Sequence, residues 1–297
     1  MNKSKEIYRN KLGRNYYINH IFETFLIRLL SSLSVKHIKN NDLQVAIFAF
    51  DGIGTTINVK GVYEREQLDI ILGWLNSNQL VRGSAIDMGA NIGNHSLYFS
   101  RFYKEVFSFE PNPRTFKLLE INSKLVDNIT PFNFGLSDID GNVSMWFSKE
   151  NMGGSRIVIK SEDHPNIVNI KVKTFDSISH KINQPIGLIK LDIEGHEYAA
   201  ISGAQATIKA NKPIILFEQS IADFKDGVSP VIELLKSLGY IKFATVMPSP
   251  FISMRVPRVI RSTITFCIRL IFGFKYKIAI NADITPGFYS FIVAIPG

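Results

Sequence analysis

Two stretches concentrate side chains able to do chemistry, Asp87-Met88-Gly89-Ala90-Asn91-Ile92-Gly93 and Lys190-Leu191-Asp192-Ile193-Glu194-Gly195-His196-Glu197. A glycine-bearing turn between a strand and a helix lets a nucleotide ligand come close to the backbone, because glycine has no Cβ to obstruct it. The run Gly89 to Gly93 lacks the G-x-G-x-x-G spacing that seats a dinucleotide's diphosphate on a helix N-terminus. An acid at position 87 is badly placed for a diphosphate and well placed for a cation. S-adenosylmethionine, with an ammonium and a sulfonium, is therefore the favoured ligand of this loop. Glu110 follows about 20 residues later, at a spacing that suits an acceptor for two ribose hydroxyls. Asp138, in Gly135-Leu136-Ser137-Asp138, is a candidate acceptor for an adenine amino group, and its alternative reading is a solvated turn residue.

In the second stretch, Asp192, Glu194, His196 and Glu197 crowd one strand end. Such charge is costly unless it is used, which marks a site. His196 has the ordinary pKa of a base working near neutrality. Its alternative reading is a helix cap, or a histidine satisfied by a neighbouring glutamate. Asp192 could orient His196 or take a proton itself. Lys190 alternates away from Leu191, and a structural ion pair is its plain reading. Acids after two successive strands, Asp192 and Glu218, could share a divalent cation, but their spacing does not define a ligand set, so no metal is expected. Beside the glycine loop, His95 reads as structural. Glu64 either closes over the ligand or supplies negative charge to a helix N-terminus.

Elements of the right kind surround these residues. From about 61 to 247, strand and helix patterns alternate, as in a parallel sheet with crossover helices. Helix 64–76 leads to a buried strand at 84–87, then helix 94–102, strand 106–110, a helix opening on Pro113 and a strand at 130–134. Segments 142–147 and 168–175 read as an added antiparallel pair around Gly153-Gly154. Strand 186–191, helix 197–209, strand 213–217 and helix 230–238, capped by Gly239, continue the alternation. A last strand is expected at 288–295. Residues 1–60 form an extension with a helix at 18–38 and strand-like pieces at 44–50 and 55–59.

A chain of 297 residues with 45% apolar and 20% charged side chains can bury a large core. Its single cysteine, Cys267, excludes an internal disulfide framework and suits a reducing compartment. The first twenty residues do not read as a secretory signal, and no uncharged apolar run is long enough to span a bilayer. The net charge of +8 favours acidic partners without choosing among nucleic acid, anionic lipid and acidic glycan. No nucleic-acid partner is expected, since neither an Asn-Pro-Pro-Tyr-like tetrapeptide nor an RNA-binding aromatic set accompanies that charge.

The order of motifs resembles the FkbM family of S-adenosylmethionine-dependent methyltransferases. The matching pieces are Gly61-Val62-Tyr63-Glu64, Ile86 to His95, Phe109-Glu110-Pro111-Asn112-Pro113, Gly135 to Asp138, Lys190 to Glu197, Gly203-Ala204 and Lys212 to Glu218. They cover about residues 61–220. The resemblance implies a class I methyltransferase fold, Rossmann-like and doubly wound, with a mostly parallel seven-stranded sheet to which the hairpin and the N-terminal extension are added. It also implies O-methylation of a hydroxyl, often on a sugar, a polysaccharide precursor or a lipid-linked glycan. The cofactor set expected from motifs and resemblance together is Glu64, Asp87, Gly89, Ala90, Asn91, Gly93, Asn94, Glu110, Asn112, Ser137, Asp138 and Asp192. The catalytic set is His196, Asp192 and Glu194.

Two domain-level expectations accompany this reading, an extension at 1–60 and a methyltransferase domain at 61–297 carrying a basic apolar insertion at 248–280. Within the insertion, Arg255, Arg258, Ser262, Thr265 and Arg269 recur three or four apart, a polar stripe on an otherwise apolar helix. It could lie at a membrane interface, pack on its own domain or serve a homodimer. The expected location is cytoplasmic, with peripheral contact at the inner membrane face if the first reading holds. Two other functions stand beside the leading one. A nicotinamide-dependent oxidoreductase has only Glu110 in its favour, and an inactive methyltransferase fold serving as a binding module is opposed by the intact Asp192 to Glu197 cluster.

Overall fold

The computed structural model describes residues 14–146, 156–158, 167–248 and 276–297. The Gly153-Gly154 turn and the stripe at 255–272 lie outside them.

The chain opens on α1 (Arg14–Lys39), followed by α2 (Gly52–Lys60) and α3 (Arg65–Ser77). Strand β1 (Ser84–Met88), α4 (Asn94–Phe99), β2 (Glu105–Phe109), α5 (Pro113–Ser123) and β3 (Ile129–Phe132) form the first half of the wound sheet. Next come β4 (Gly135–Leu136), β5 (Gly141–Trp146), β6 (Arg156–Val158), β7 (Ile167–Lys173) and the short α6 (Phe175–Ile178). The second half contains β8 (Ile186–Leu191), α7 (Glu197–Ser202), α8 (Gln205–Asn211), β9 (Ile214–Gln219), α9 (Pro230–Ser237), β10 (Tyr240–Pro248), β11 (Tyr276–Asn281) and β12 (Tyr289–Pro296).

The main sheet runs in the order β11-β10-β12-β9-β8-β1-β2-β3. Strands β3, β2, β1, β8 and β9 are parallel neighbours, whereas β12 runs antiparallel to both β9 and β10. The six main-sheet strands expected from sequence are present, β10, which sequence does not place, supplies the seventh that the resemblance implies, and β11 adds an eighth at the edge, in residues read from sequence as part of the insertion. The added hairpin is likewise larger than expected. Strands β5 and β7 pair antiparallel, and β4 and β6 extend them to a four-stranded sheet.

Every residue of β1 and of β8 is buried, as a parallel strand covered on both faces requires. On one face Ile86, Ile189 and Ile215 pack with Phe109, Ile201, Ile208 and Leu235. On the other, Ala85, Leu188 and Leu216 meet Leu68, Ile71, Leu72 and Leu75, the apolar stripe of α3.

Three local expectations fail for identifiable reasons. Residues 55–59, β-branched and strand-like, lie in α2, where Asp51 caps the helix by accepting from the amides of Ile53 and Gly54. Residues 44–50 form no strand, and the amide and carbonyl of Ala46 bond instead to the Asn122 side chain. The helix at 197–209 is broken at Gly203, because the Asp176 amide donates to the Gly203 carbonyl and the Asp176 carboxylate accepts from the amides of Ala206 and Thr207, starting α8 anew.

Candidate active site

The crevice lies beyond the carboxyl ends of β1, β2, β8 and β9, flanking the point where the winding reverses between β1 and β8. Three residues each stand one position past a strand end: Gly89 after β1, Glu110 after β2 and Asp192 after β8. All three line a cavity of about 200 Å³ together with Glu64, Asn91, Glu194 and His196. Glu64, Asn91 and Glu194 have positive φ angles of 56°, 50° and 55°. Non-glycine residues adopt that conformation rarely, and it clusters at functional sites.

The cavity is lined by two kinds of side chain. Pro111, Leu136, Met145 and Ile170 are apolar, whereas Tyr63, Glu64, Asp192, Glu194 and Glu218 make an acidic end whose charges act on one another. Glu110 is buried, and its two carboxyl oxygens accept from the amides of Asn91 (3.0 Å) and Asn112 (2.8 Å). Burial nevertheless outweighs those bonds and raises its pKa to about 7. Glu218 is also raised to about 7, first by loss of water and then by Asp192, Glu194, Glu64 and Glu197. Glu194 reaches about 7 through loss of water and the charges of Asp192 and Glu197. Tyr63 is raised by burial and by the carboxylates around it. This end of the cavity therefore favours a cationic guest.

Asp87 does not reach the cavity wall. It is fully buried beneath it, its Oδ2 accepting from the Ser96 hydroxyl at 2.6 Å and its Oδ1 lying 3.1 Å from Lys190 Nζ. The expectation that Asp87 meets the ligand's positive charge is corrected accordingly: Lys190 neutralises it, and Glu64, Asp192, Glu194 and Glu218 supply the exposed acids. Lys190 Nζ also donates to the Gly89 carbonyl at 3.0 Å and lies 3.4 Å from Asp192 Oδ2. This buried ammonium thus joins the glycine loop to the end of β8, and the acids raise its pKa despite burial. The need for glycine at 89 is internal as well, since a Cβ there would lie 2.0 Å from the Asp192 carbonyl oxygen.

Other expected cofactor residues build the walls from behind. Asn94 spends its side chain on the backbone of Tyr63, through bonds of 2.9 and 3.1 Å. Asn112 caps α5 by accepting from the Arg114 amide. The Ala90 amide bonds to the Phe109 carbonyl, and Gly93, with φ of 91°, is the N-cap of α4. Asp138 is exposed, away from the cavity wall, and accepts from the Ser137 hydroxyl at 3.1 Å. His95 is buried among Tyr63, Phe99 and Phe291, with Nε2 3.2 Å from Glu64 Oε2, so it positions that acid.

His196 is the N-cap residue of α7, and its side chain caps nothing. Its Nε2 lies 2.9 Å from the Ser137 hydroxyl oxygen. With that hydroxyl donating to Asp138, the fitting tautomer carries its proton on Nε2 and leaves Nδ1 as the basic nitrogen. Burial lowers the His196 pKa, against a smaller raising influence from Asp138, so the ring is neutral and able to accept a proton at pH 7. Glu197 accepts from the amides of Ile193 and Gly195, both at 3.2 Å, and fixes the turn that carries Glu194.

Several lining residues were missing from the expected set. From sequence Glu218 enters only as a candidate metal ligand; among the described residues no cluster of three His, Cys, Asp or Glu could hold a metal ion. Met145 and Ile170 lie diagonally on one face of the β5–β7 pair, Met145 opposite Val168 and Ile170 opposite Val143, a signal available in their alternation. Ile53 comes from α2, and nothing local in sequence connects it to the site.

A family model described as the methyltransferase FkbM domain matches residues 87–242. Hexuronic acid methyltransferase AglP of Haloferax volcanii is 30% identical over 143 residues, 47% of this chain and 57% of that protein. Methyltransferase 1 of Beauveria bassiana is 28% identical over 141 residues, 40% of this chain and 57% of that protein. The chain thus spans little more than half the length of these relatives. The crystal structure of methyltransferase FkbM from Methylobacillus flagellatus shares 23% identity at a TM-score of 0.32, covering 46% of this chain and 32% of that one. With its family model matched over more than half of its length, from inside β1 to β10, the chain belongs to the FkbM methyltransferase family.

Proposed function

We propose that the protein transfers a methyl group from S-adenosylmethionine to a hydroxyl of a sugar. The observation that carries this reading is one cavity whose wall combines apolar side chains and Glu110 with a cluster of mutually repelling acids, Glu64, Asp192, Glu194 and Glu218. An adenosine suits the apolar side chains and Glu110: its base is apolar on both faces, and its ribose hydroxyls are donors for the remaining lone pairs of Glu110. An ammonium and a sulfonium suit the acidic cluster. A dinucleotide would bring its diphosphate into the same field of acids, so an oxidoreductase is disfavoured on charge. The cofactor supplies an electrophilic methyl group when bound.

The chain's own work is to hold the acceptor in line and take its proton, largely a task of position. We assign His196 Nδ1 as the proton acceptor, with Ser137 and Asp138 fixing the ring's tautomer through Nε2. Asp192, held by Lys190, and Glu194, on its left-handed turn, form the adjoining wall. Support for a sugar acceptor comes from AglP, whose name specifies a hexuronic acid.

The test is calorimetric titration with S-adenosylmethionine, S-adenosylhomocysteine and NAD, followed by transfer of labelled methyl to a panel of neutral, amino and uronic sugars. Binding of the first two without NAD, with label on a sugar oxygen, is expected. Binding of NAD alone overturns the cofactor assignment. Binding of the adenosyl ligands with no transfer to any acceptor favours a non-catalytic module.

A further inference from the structure

The longest helix among the described residues, α1, does not line the cavity. Helix α1 exposes Ile18, Ile21, Phe22, Phe25, Leu26 and Leu29, which fall along one side at three- and four-residue spacing. Phe22 and Phe25 are each 61% exposed. A contiguous apolar surface of this kind marks a binding face. Tyr16, Tyr17, Ile27 and Ile38 are also exposed, off that side.

We propose that α1 is an in-plane anchor that seats the protein on an anionic lipid surface. Charge selects this occupant. Residues 1–39 contain eight Lys and Arg against two Glu, Glu6 and Glu23. A second copy of α1 would bring the same positive charge to the interface, whereas anionic headgroups bring the opposite charge. No helix among the described residues is long and apolar enough to cross a membrane, so the anchor lies on the surface.

The helix is tied to the enzyme at its C-terminal end. His37 Nδ1 lies 2.8 Å from Asp42 Oδ2, and its Nε2 lies 3.1 Å from the carbonyl oxygen of Val59 at the end of α2. Gly61, with φ of 80°, makes room for this clamp, because a Cβ there would lie 3.0 Å from His37 Nδ1. Helix α2 in turn supplies Ile53 to the cavity wall. A lipid surface bound by α1 is therefore connected to the active-site mouth through one short helix.

The test uses the full chain and sedimentation with vesicles of phosphatidylglycerol and phosphatidylcholine, against phosphatidylcholine alone. Association with the anionic vesicles, reversed by salt, is expected. The combined variant Phe22→Ser, Phe25→Ser, Leu29→Ser should lose roughly a hundredfold or more in partitioning, since each buried apolar side chain contributes on the order of tenfold. A circular dichroism melt checks that this variant remains folded. If it does not, Arg28→Glu, Lys36→Glu, Lys39→Glu should instead abolish the preference for anionic over neutral vesicles. Wild-type protein that stays in the supernatant refutes the proposal. So does a folded triple serine variant that binds as the wild type does, which would assign binding to another part of the chain. A dimer in light scattering that the triple variant dissociates, without vesicle binding by the wild type, would assign the face to a second copy.

Discussion

Replacing Lys190 by Met tests how the site is held together. The side chain is 2% exposed and its ammonium lies 3.0 Å from the Gly89 carbonyl, 3.1 Å from Asp87 Oδ1 and 3.4 Å from Asp192 Oδ2. Methionine fills much the same volume, so little of the loss comes from a cavity. The loss comes from Asp87, which remains fully buried with only the Ser96 hydroxyl as hydrogen-bond partner. Breaking a buried pair from one side costs about 3–5 kcal/mol. Urea unfolding of Lys190→Met should show a deficit of that size. Adding Asp87→Asn removes the orphaned charge and should restore about half, so the two changes are strongly non-additive. A deficit below about 1 kcal/mol, or a double variant no more stable than Lys190→Met, would refute the reasoning. The contrasting view, with Asp87 as a ligand contact, expects Asp87→Asn alone to weaken S-adenosylmethionine binding and leave stability unchanged.

Other consequences can be checked separately. Glu218→Gln should stabilise the unliganded protein above neutral pH. Its carboxyl is raised from 4.5 to about 7, so the folded state holds the proton more tightly, and the stability this lends below 4.5 is lost as pH rises through 7. With 1.36 kcal/mol per unit and allowance for solvent screening, the gain by thermal melts is roughly 1 kcal/mol, and a loss would contradict the sign. The preference for S-adenosylmethionine over S-adenosylhomocysteine should grow between about pH 6 and about pH 8, as Glu194 and Glu218 ionise against the sulfonium; a calorimetric ratio independent of pH would count against that placement. His196→Ala should keep cofactor affinity and lower kcat by about 10²–10⁴, whereas unchanged kcat makes the ring structural. Gly89→Ala should cost about 1–3 kcal/mol or more through the 2.0 Å clash with Asp192, and a neutral melt would disprove that close approach.

The fold was legible because each αβ unit announces itself: strands buried on both faces read as apolar runs, and Pro113 and Pro230 mark helix starts. Less legible were features decided by a distant partner. Residues 55–59 have strand-like side chains, yet the Asp51 cap and packing make them helical, and the distant Asp176 ends one helix at Gly203 and caps the next. The site divides in the same way. Gly89, Glu110 and Asp192 line the crevice because each follows directly on a strand, where the chain leaves the sheet. Asp87 carries the same chemistry but lies within β1, between the buried Ile86 and Met88, and strand alternation turns it toward Ser96 and Lys190. Position relative to the strand end separates Glu110 and Asp192, which line the crevice, from Asp87, which holds the frame. The distinction has a thermodynamic counterpart. The frame acid Asp87 is neutralised by Lys190 from within. The crevice acids Glu194 and Glu218 repel Asp192 and Glu197 alike, so that charge awaits a cation from outside. A site built in this way is at its least stable when empty, and its ligand gains affinity from relieving that repulsion.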